Sequence, residues 1–374
     1  MEIPRKSDTN SPSLFPILPT GTTGLAKLAA EAEHADDGHL IEFRSMQVRS
    51  VLNRSISKRQ LWLAYSINPY RGCEFGCRYC YARYTHEFLA PKDVTADGTG
   101  FLNATVDFRH PDAFERVIFL KQNAAWLLEQ DLKRIDPEQE IALGTATDPY
   151  QPIERKVGIT RSILEVFARK QGYHLGIVTK SNLIERDIDL LVEIARRNKL
   201  VVHITITTPD AELARKLEPR APRPDLRFQA VKRLRAAGIT VGILCCPVLP
   251  GITDSEAALD EMARRAAAVG ASFFAANPLF LKPCSRPTYL SFVREHFPSL
   301  VKDYEIRFGS ADFATTAYSR QLATIVERAC KRHGLQQRST DALLTRDLSR
   351  DGSPGLGRGP ESSVAERLQQ RLFA

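Results

Sequence analysis

The sequence predicts an α/β protein: an incomplete (β/α)6 TIM-like barrel with a disordered N-terminal segment and a helical C-terminal extension. Two observations carry this expectation. Short β-rich runs alternate with amphipathic helical patterns from Leu61 to Phe280, and each parallel strand pair needs a crossover, which a helix supplies. About six such units fit that span, enough to close a sheet part of the way round. In such a barrel chemistry gathers at the C-terminal ends of the strands, so each strand end is a place to search.

Taken in order, residues 1–22 are rich in Pro, Ser and Thr and read as disordered. Leu25 to Ala35 reads as a short helix before the break Asp36-Asp37-Gly38. Leu40 to Lys58 carries Arg44, Arg49, Arg54 and Lys58 among apolar residues, an arm leading into the first core strand, Leu61 to Ile67. A helix start at Tyr81 to Leu89 precedes a loop at Pro91 to Gly100. Strands follow at Val117 to Leu120, Glu140 to Gly144, Leu175 to Thr179, Leu200 to Thr207, Thr240 to Cys245 and Ser272 to Ala276. Helical patterns lie between them: Gln122 to Ile135; Thr160 to Gln171 with Ile163, Leu164 and Phe167 on one face; Ile188, Leu191, Val192 and Ala195; and Phe228, Val231 and Leu234. Thr253-Asp254-Ser255 caps a helix running to Val269, which Gly270 stops. Pro287 to Gly334 reads as helical, with Tyr289, Phe292, Val293 and Phe297 as a packing stripe and Phe313 to His333 as a helix across the barrel. Arg350 to Pro360 reads as a flexible linker before a short helix, Ser363 to Leu372. The expected divisions are 1–60, an N-terminal arm; 61–285, the barrel; 286–335, a helical extension; and 336–374, a flexible tail.

Hydrophobic content of 43% and charged content of 26% over 374 residues suit a soluble globular chain. No apolar run reaches the ~18 residues of a membrane span, and Met1 to Pro19 lacks a secretory apolar segment, so a cytoplasmic location is expected. Seven cysteines, three of them clustered, argue against a disulfide scaffold and for a reducing compartment. The net charge of +8 favours polyanions at low salt. Between Glu212 and Gly238 eight Lys/Arg face three acids, either a solvated helix face or a nucleic-acid contact.

The chemistry concentrates in Ser66-Ile-Asn-Pro-Tyr-Arg-Gly-Cys-Glu-Phe-Gly-Cys-Arg-Tyr-Cys-Tyr-Ala-Arg83, which brings Cys73, Cys77 and Cys80 within eight residues. Thiolates are soft ligands for zinc or iron–sulfur clusters, and Pro69, Gly72 and Gly76 let a short backbone turn around a metal centre. Structural zinc takes four protein ligands, for which His86 is the nearest fourth. A four-iron cluster on three cysteines keeps one iron open. Three unrelated buried cysteines are the plain alternative.

The strand ends add polar groups. Leu143 to Glu154 offers Gly144, Thr145, Thr147, Asp148, Tyr150 and Glu154. Lys180 ends the next strand, where its point charge suits a carboxylate. Thr205 and Thr207 share a face with His203; their hydroxyls suit a ribose or plain barrel packing. Cys245 and Cys246 sit at the mouth, where a thiol can give hydrogen to a substrate radical, but adjacent strand residues point to opposite faces. Cys245 is the candidate donor, and Asn277-Pro-Leu-Phe-Leu281 forms an apolar rim.

The C-x3-C-x2-C spacing, with Tyr79 just before the last cysteine, resembles the signature of the radical S-adenosylmethionine (SAM) superfamily. Asn68 to Arg83 is similar to its DNA repair photolyase-like branch, related to spore photoproduct lyase. The resemblance implies a [4Fe-4S] cluster on Cys73, Cys77 and Cys80. It implies SAM on the open iron, cleaved after one-electron reduction by a donor such as flavodoxin or ferredoxin to yield a 5′-deoxyadenosyl radical. It further implies that Gly144, Thr147 and Asp148 meet the SAM amino group, that Lys180 contacts the methionyl carboxylate, and that Arg220 in Leu217-Glu-Pro-Arg220 lies near the cofactor. Thr205 and Thr207 complete this expected SAM site. One departure stands out: Thr145-Ala-Thr-Asp148 occupies the place where spore photoproduct lyases carry a hydrogen-donating cysteine. Nucleic acid is the implied substrate. A radical SAM modifier of a peptide, protein or small molecule is the alternative enzyme, and a zinc-stabilised basic nucleic-acid-binding module the non-enzymatic one.

Overall fold

The computed structural model describes residues 41–54, 64–89 and 107–337. The expected N-terminal disorder, the helix at Leu25 to Ala35, the loop at Pro91 to Gly100, the linker at Arg350 to Pro360 and the helix at Ser363 to Leu372 lie outside the described residues.

Ten strands are described: β1 (Glu42–Ser45), β2 (Leu52–Arg54), β3 (Tyr65–Ile67), β4 (Tyr70–Arg71), β5 (Val117–Leu120), β6 (Glu140–Leu143), β7 (His174–Thr179), β8 (Lys199–Thr205), β9 (Thr240–Val248) and β10 (Phe274–Pro278). A seven-stranded sheet takes the order β10-β9-β8-β7-β6-β3-β2. Its first six strands are mutually parallel and β2 runs antiparallel to β3. The expected α/β alternation is therefore present as an open mixed sheet, with no closing pair between β10 and β2 among the described residues.

The strand at Val117 to Leu120 corrects an expectation. It does not join the main sheet but pairs in parallel with β1 and antiparallel with β4 in a separate three-stranded sheet. All four of its residues are buried, so the apolar run reads alike for either sheet. Its place matters, because β4 belongs to the cysteine loop and β5 backs that loop.

Helices cross over between the parallel strands. Ile163, Leu164 and Phe167 of helix Ile159–Ala168 are fully buried, as are Leu191 and Ile194 of helix Ile188–Arg197, against Leu175, Ile177, Val202 and Ile204 of the sheet. The capping expectation holds: Ser255 Oγ accepts from Ala258 N at 3.2 Å, and helix Glu256–Ala268 ends before Gly270 at φ +72°. In the C-terminal helices Tyr289 and Val293 are wholly buried and Phe292 nearly so, sharing a cluster with Cys73, Phe75, Cys77 and Tyr79. The C-terminal extension thus supports the cysteine loop. Helix Thr316–Arg332 packs on helix Glu256–Ala268 and β10, tied by Arg332 to Asp260 at 2.6 Å and by the Tyr318 hydroxyl to Asp254 at 2.8 Å.

Candidate active site

A cavity of about 250 Å³ opens at the C-terminal strand ends, lined by Cys73, Cys77 and Cys80 together with Gly144, Thr147, Asp148, Lys180 and Thr205. Residues separated by up to 132 positions are thereby gathered in one place, as the strand-end argument expects. Thr207 and Cys245 are not on its wall.

The cysteine loop is turned by two glycines. Gly72 sits at φ +92°, and a Cβ there would lie 2.8 Å from the Val117 carbonyl oxygen; Gly76 sits at φ +62° with Glu115 and Arg220 against it. Glu115, buried, pairs with Arg220 at 2.8 Å and with Arg83 at 3.8 Å. Arg83 donates to the Cys77 carbonyl at 3.1 Å and Arg220 to the Glu74 carbonyl. Arg220 is thus a clamp on the loop, and it is not among the residues that line the cavity. On other sides the Thr147 hydroxyl donates to the Gly72 carbonyl at 2.6 Å, Gln151 accepts from Glu74 N at 2.8 Å, and the Ser285 hydroxyl donates to the Cys80 carbonyl at 2.9 Å.

The loop after β6 is braced to β7. Asp148 accepts from the Thr179 hydroxyl at 2.6 Å, from Lys180 N at 2.7 Å and from Tyr150 N at 2.9 Å. Its carboxylate, and the Thr147 hydroxyl, are thereby committed to holding the loop. Glu154, fully buried, accepts from Tyr70, Thr160 N and Arg161 N and pairs with Arg186 at 2.7 Å. Asn68 accepts from Ala146 N at 2.8 Å, while its own carbonyl takes the Lys121 ammonium at 2.7 Å.

One buried ionic chain lies behind the cavity. The Lys180 ammonium stands 5.7 Å from the centre of the Tyr79 ring. The Tyr79 hydroxyl meets Thr207 at 3.0 Å and donates to Glu218, which pairs with the equally buried Arg227 at 2.5 Å. Burial works against both ions, but Arg227 and Lys180 hold the Glu218 carboxyl below its usual range. Burial also works to lower the Lys180 pKa, yet Cys77 and Glu218 outweigh it and the ammonium is kept charged. Thr207 thus belongs to the support of Tyr79.

The donor set fits a soft metal centre. Burial pushes the Cys73 thiol well above its ordinary range and Cys77 up to about 12, and the thiols repel one another's charge. Such a trio favours a positive centre that takes up the thiolates. His86 is not their fourth ligand: its Nε2 meets the Val117 carbonyl at 2.9 Å, its ring lies among Phe108, Phe114 and Phe119, and burial lowers its pKa to about 4.

At the fifth parallel strand the cysteine assignment is reversed. Cys245 is 1% exposed in the sheet–helix core with its thiol toward the Thr207 carbonyl at 3.6 Å, whereas Cys246 lines the cavity. Alternation along the strand sends the two to opposite faces. His203 is buried against Phe273 at 5.3 Å and takes no part in the cavity wall. Sequence reading gave no role to Glu115, Asn68 or the pair Glu218 and Arg227, and it chose Cys245 over Cys246 where strand alternation allowed either to face the cavity.

A sequence model of the radical SAM superfamily matches residues 67–266. An uncharacterized protein of Mycobacterium tuberculosis is 32% identical over 283 residues, covering 75% of this chain and 78% of its own. One from Methanocaldococcus jannaschii is 28% identical over 197 residues, covering 53% and 65%. Among solved structures, spore photoproduct lyase complexed with dinucleoside spore photoproduct aligns with TM-score 0.52 at 13% identity, covering 85% of each chain. A double mutant of that lyase with bound AdoMet and dinucleoside spore photoproduct aligns with TM-score 0.53 at 14% identity, covering 79% and 81%. The chain belongs to the radical SAM superfamily. It is a radical SAM enzyme whose fold is shared with spore photoproduct lyase.

Proposed function

We propose that Cys73, Cys77 and Cys80 hold a [4Fe-4S] cluster with one open iron, and that SAM occupies the cavity between it and Lys180. The observation that carries this reading is three thiols on one wall, those of Cys73 and Cys77 buried and that of Cys80 half-buried, facing a half-buried lysine on another. When bound, the pair supplies one-electron cleavage of SAM to methionine and a 5′-deoxyadenosyl radical. Lys180 receives the carboxylate, with Tyr79 and Glu218 fixing its reach. Gly144 turns the chain at the β6 end at φ +92°, where a Cβ would meet Pro149 and the Val178 carbonyl; Asp148 and Thr147 hold that loop in position, and Thr205 offers a hydroxyl. The six parallel strands are read as the incomplete (β/α)6 barrel, residues 61–285 as the catalytic core and 286–335 as its support. The reductant is a small electron carrier of flavodoxin or ferredoxin type in a reducing cytoplasm.

Nucleic acid is the substrate class this reading favours. The spore photoproduct lyase structures hold a dinucleoside photoproduct, and the net charge of +8 suits a polyanion. With Thr145 in place of a thiol, a different hydrogen donor is needed, and Cys246 is the thiol on the cavity wall. Anaerobic reconstitution with iron and sulfide tests the core of this: about four irons per chain and 5′-deoxyadenosine after dithionite reduction are expected, both lost when Cys73, Cys77 and Cys80 are replaced by Ala. Zinc retention with no deoxyadenosine contradicts it.

A further inference from the structure

The basic residues between Glu212 and Gly238 are spent unevenly. Arg220, Arg223, Arg227 and Arg233 pair with Glu115, Asp225, Glu218 and Glu185, and Arg235 donates to the carbonyls of Gly270 and Ile239. Arg215, Lys216 and Lys232 are exposed and make no ion pair among the described residues.

One of these unpaired cations, Arg215, lines a concavity, and Lys216 follows it in the chain. Arg215 and Lys216 end helix Ala211–Leu217, next to a groove of about 290 Å³ lined by Arg215, Arg223 and Arg227 against the single acid Glu212. The Arg223 side chain is 71% exposed despite its contact with Asp225. One side chain links the linings of groove and cavity. Arg227 lines the groove and donates through Nε to the Pro222 carbonyl at 2.7 Å, while its Nη1 donates at 3.2 Å to the carbonyl of Thr205, a cavity residue. Arg78 continues the strip. Its N–H is bonded to the Leu217 carbonyl at 2.9 Å, it stands between Cys77 and Tyr79, and its guanidinium has no hydrogen bond or ion pair among the described residues.

The geometry points to Arg78, Arg215, Lys216 and Arg223 as a track for the phosphodiester backbone of a nucleic-acid strand whose reacting nucleotide enters the cavity. This rests on the nucleic-acid reading above. Guanidinium matches phosphate with paired N–H donors, and a row of cations suits a row of phosphates better than a single anion. The cavity offers a row of phosphates little: its charged lining residues are Asp148 and Lys180, one of each sign, and Lys180 is assigned above to the SAM carboxylate. Its farther wall, Leu244, Pro247, Pro278, Leu279 and Phe280, suits an uncharged ring. Backbone contacts of this kind set position and orientation and leave sequence choice to the cavity.

The test is binding of fluorescein-labelled single-stranded DNA and RNA to the reconstituted enzyme, followed by anisotropy between 50 and 200 mM KCl. The double variant Arg215→Glu/Lys216→Glu, on exposed positions, is expected to bind about tenfold more weakly and to lower the slope of log K against log salt by about 1.5–2. Arg78→Ala is expected to cost about threefold and a little under one in slope. A control with Lys199→Ala, Lys302→Ala and Lys331→Ala, exposed lysines elsewhere, stays within about twofold of the unaltered enzyme. If the unaltered enzyme binds and the charge-reversed variant binds equally well, the track is overturned while the nucleic-acid reading stands. If the unaltered enzyme binds neither strand at 50 mM KCl yet cleaves SAM, both are overturned.

Discussion

The wall of the cavity built from the cysteine loop and the ends of β6 and β7 is braced by buried ions and backbone hydrogen bonds, whereas the wall built from the ends of β9 and β10 is mainly apolar. On the first, Glu115, Asp148 and Glu218 each take two or more partners. On the second stand Leu244, Cys246, Pro247, Pro278, Leu279 and Phe280, with Asn277 among them. Buried charges are stable only when paired and hydrogen-bonded, so the first wall keeps one geometry and suits a cofactor whose ligands must not move. The second wall acts by shape, and apolar surfaces tolerate exchange at nearly constant volume. On the proposed reading, cofactor chemistry belongs to the first wall and selectivity to the second.

Breaking the braced wall has the largest expected effect. Glu218→Ala strands Arg227 as a buried charge and releases Tyr79 and Thr207, a destabilisation of about 3–5 kcal/mol in urea unfolding. A value below about 1 kcal/mol shows that the chain of ions is not what holds this wall. His86, behind the same loop, gives a pH signature. Folded, it stays neutral to about pH 4, against an ordinary value of 6.5. Between those values the unfolded chain takes up a proton that the folded protein refuses. Stability is therefore full above pH 6.5 and falls on acidification by up to about 3 kcal/mol. His86→Phe flattens that part of the profile, as stability measured between pH 4 and 7 will show.

Gly76→Ala places a Cβ against Glu115 and Arg220 at positive φ, with an expected cost of about 1–3 kcal/mol and loss of bound iron on gel filtration. The smallest effect sharpens the contrast: Cys246→Ala, on the apolar wall, costs within about 1 kcal/mol in thermal unfolding and leaves iron content unchanged.

The cysteine loop was legible because three cysteines lie within eight residues and thiolate chemistry leaves few readings. Lys180, Thr205 and the Gly144 to Asp148 loop were legible because strand periodicity fixes where strands end. What stayed hidden depends on contacts between distant segments. Glu115 meets Arg220 across 105 positions, and Tyr79 meets Glu218 across 139; a carboxylate in sequence gives no sign that it will be buried beside a guanidinium. The strand Val117–Leu120 was legible as a strand but not by sheet, since four buried apolar residues carry no alternation to orient them. For the Cys245–Cys246 pair, alternation shows that one thiol faces the cavity but not which, since that depends on the strand's registration with β8 and β10.

The account turns on three thiolates sharing one cluster with an iron left for SAM. Mössbauer spectroscopy of the iron-57-reconstituted enzyme, with and without SAM, tests this most directly. One iron in about four is expected to differ from the rest and to shift when SAM is added, and the shift should weaken in Lys180→Ala. Four equivalent irons that SAM leaves unchanged would contradict it.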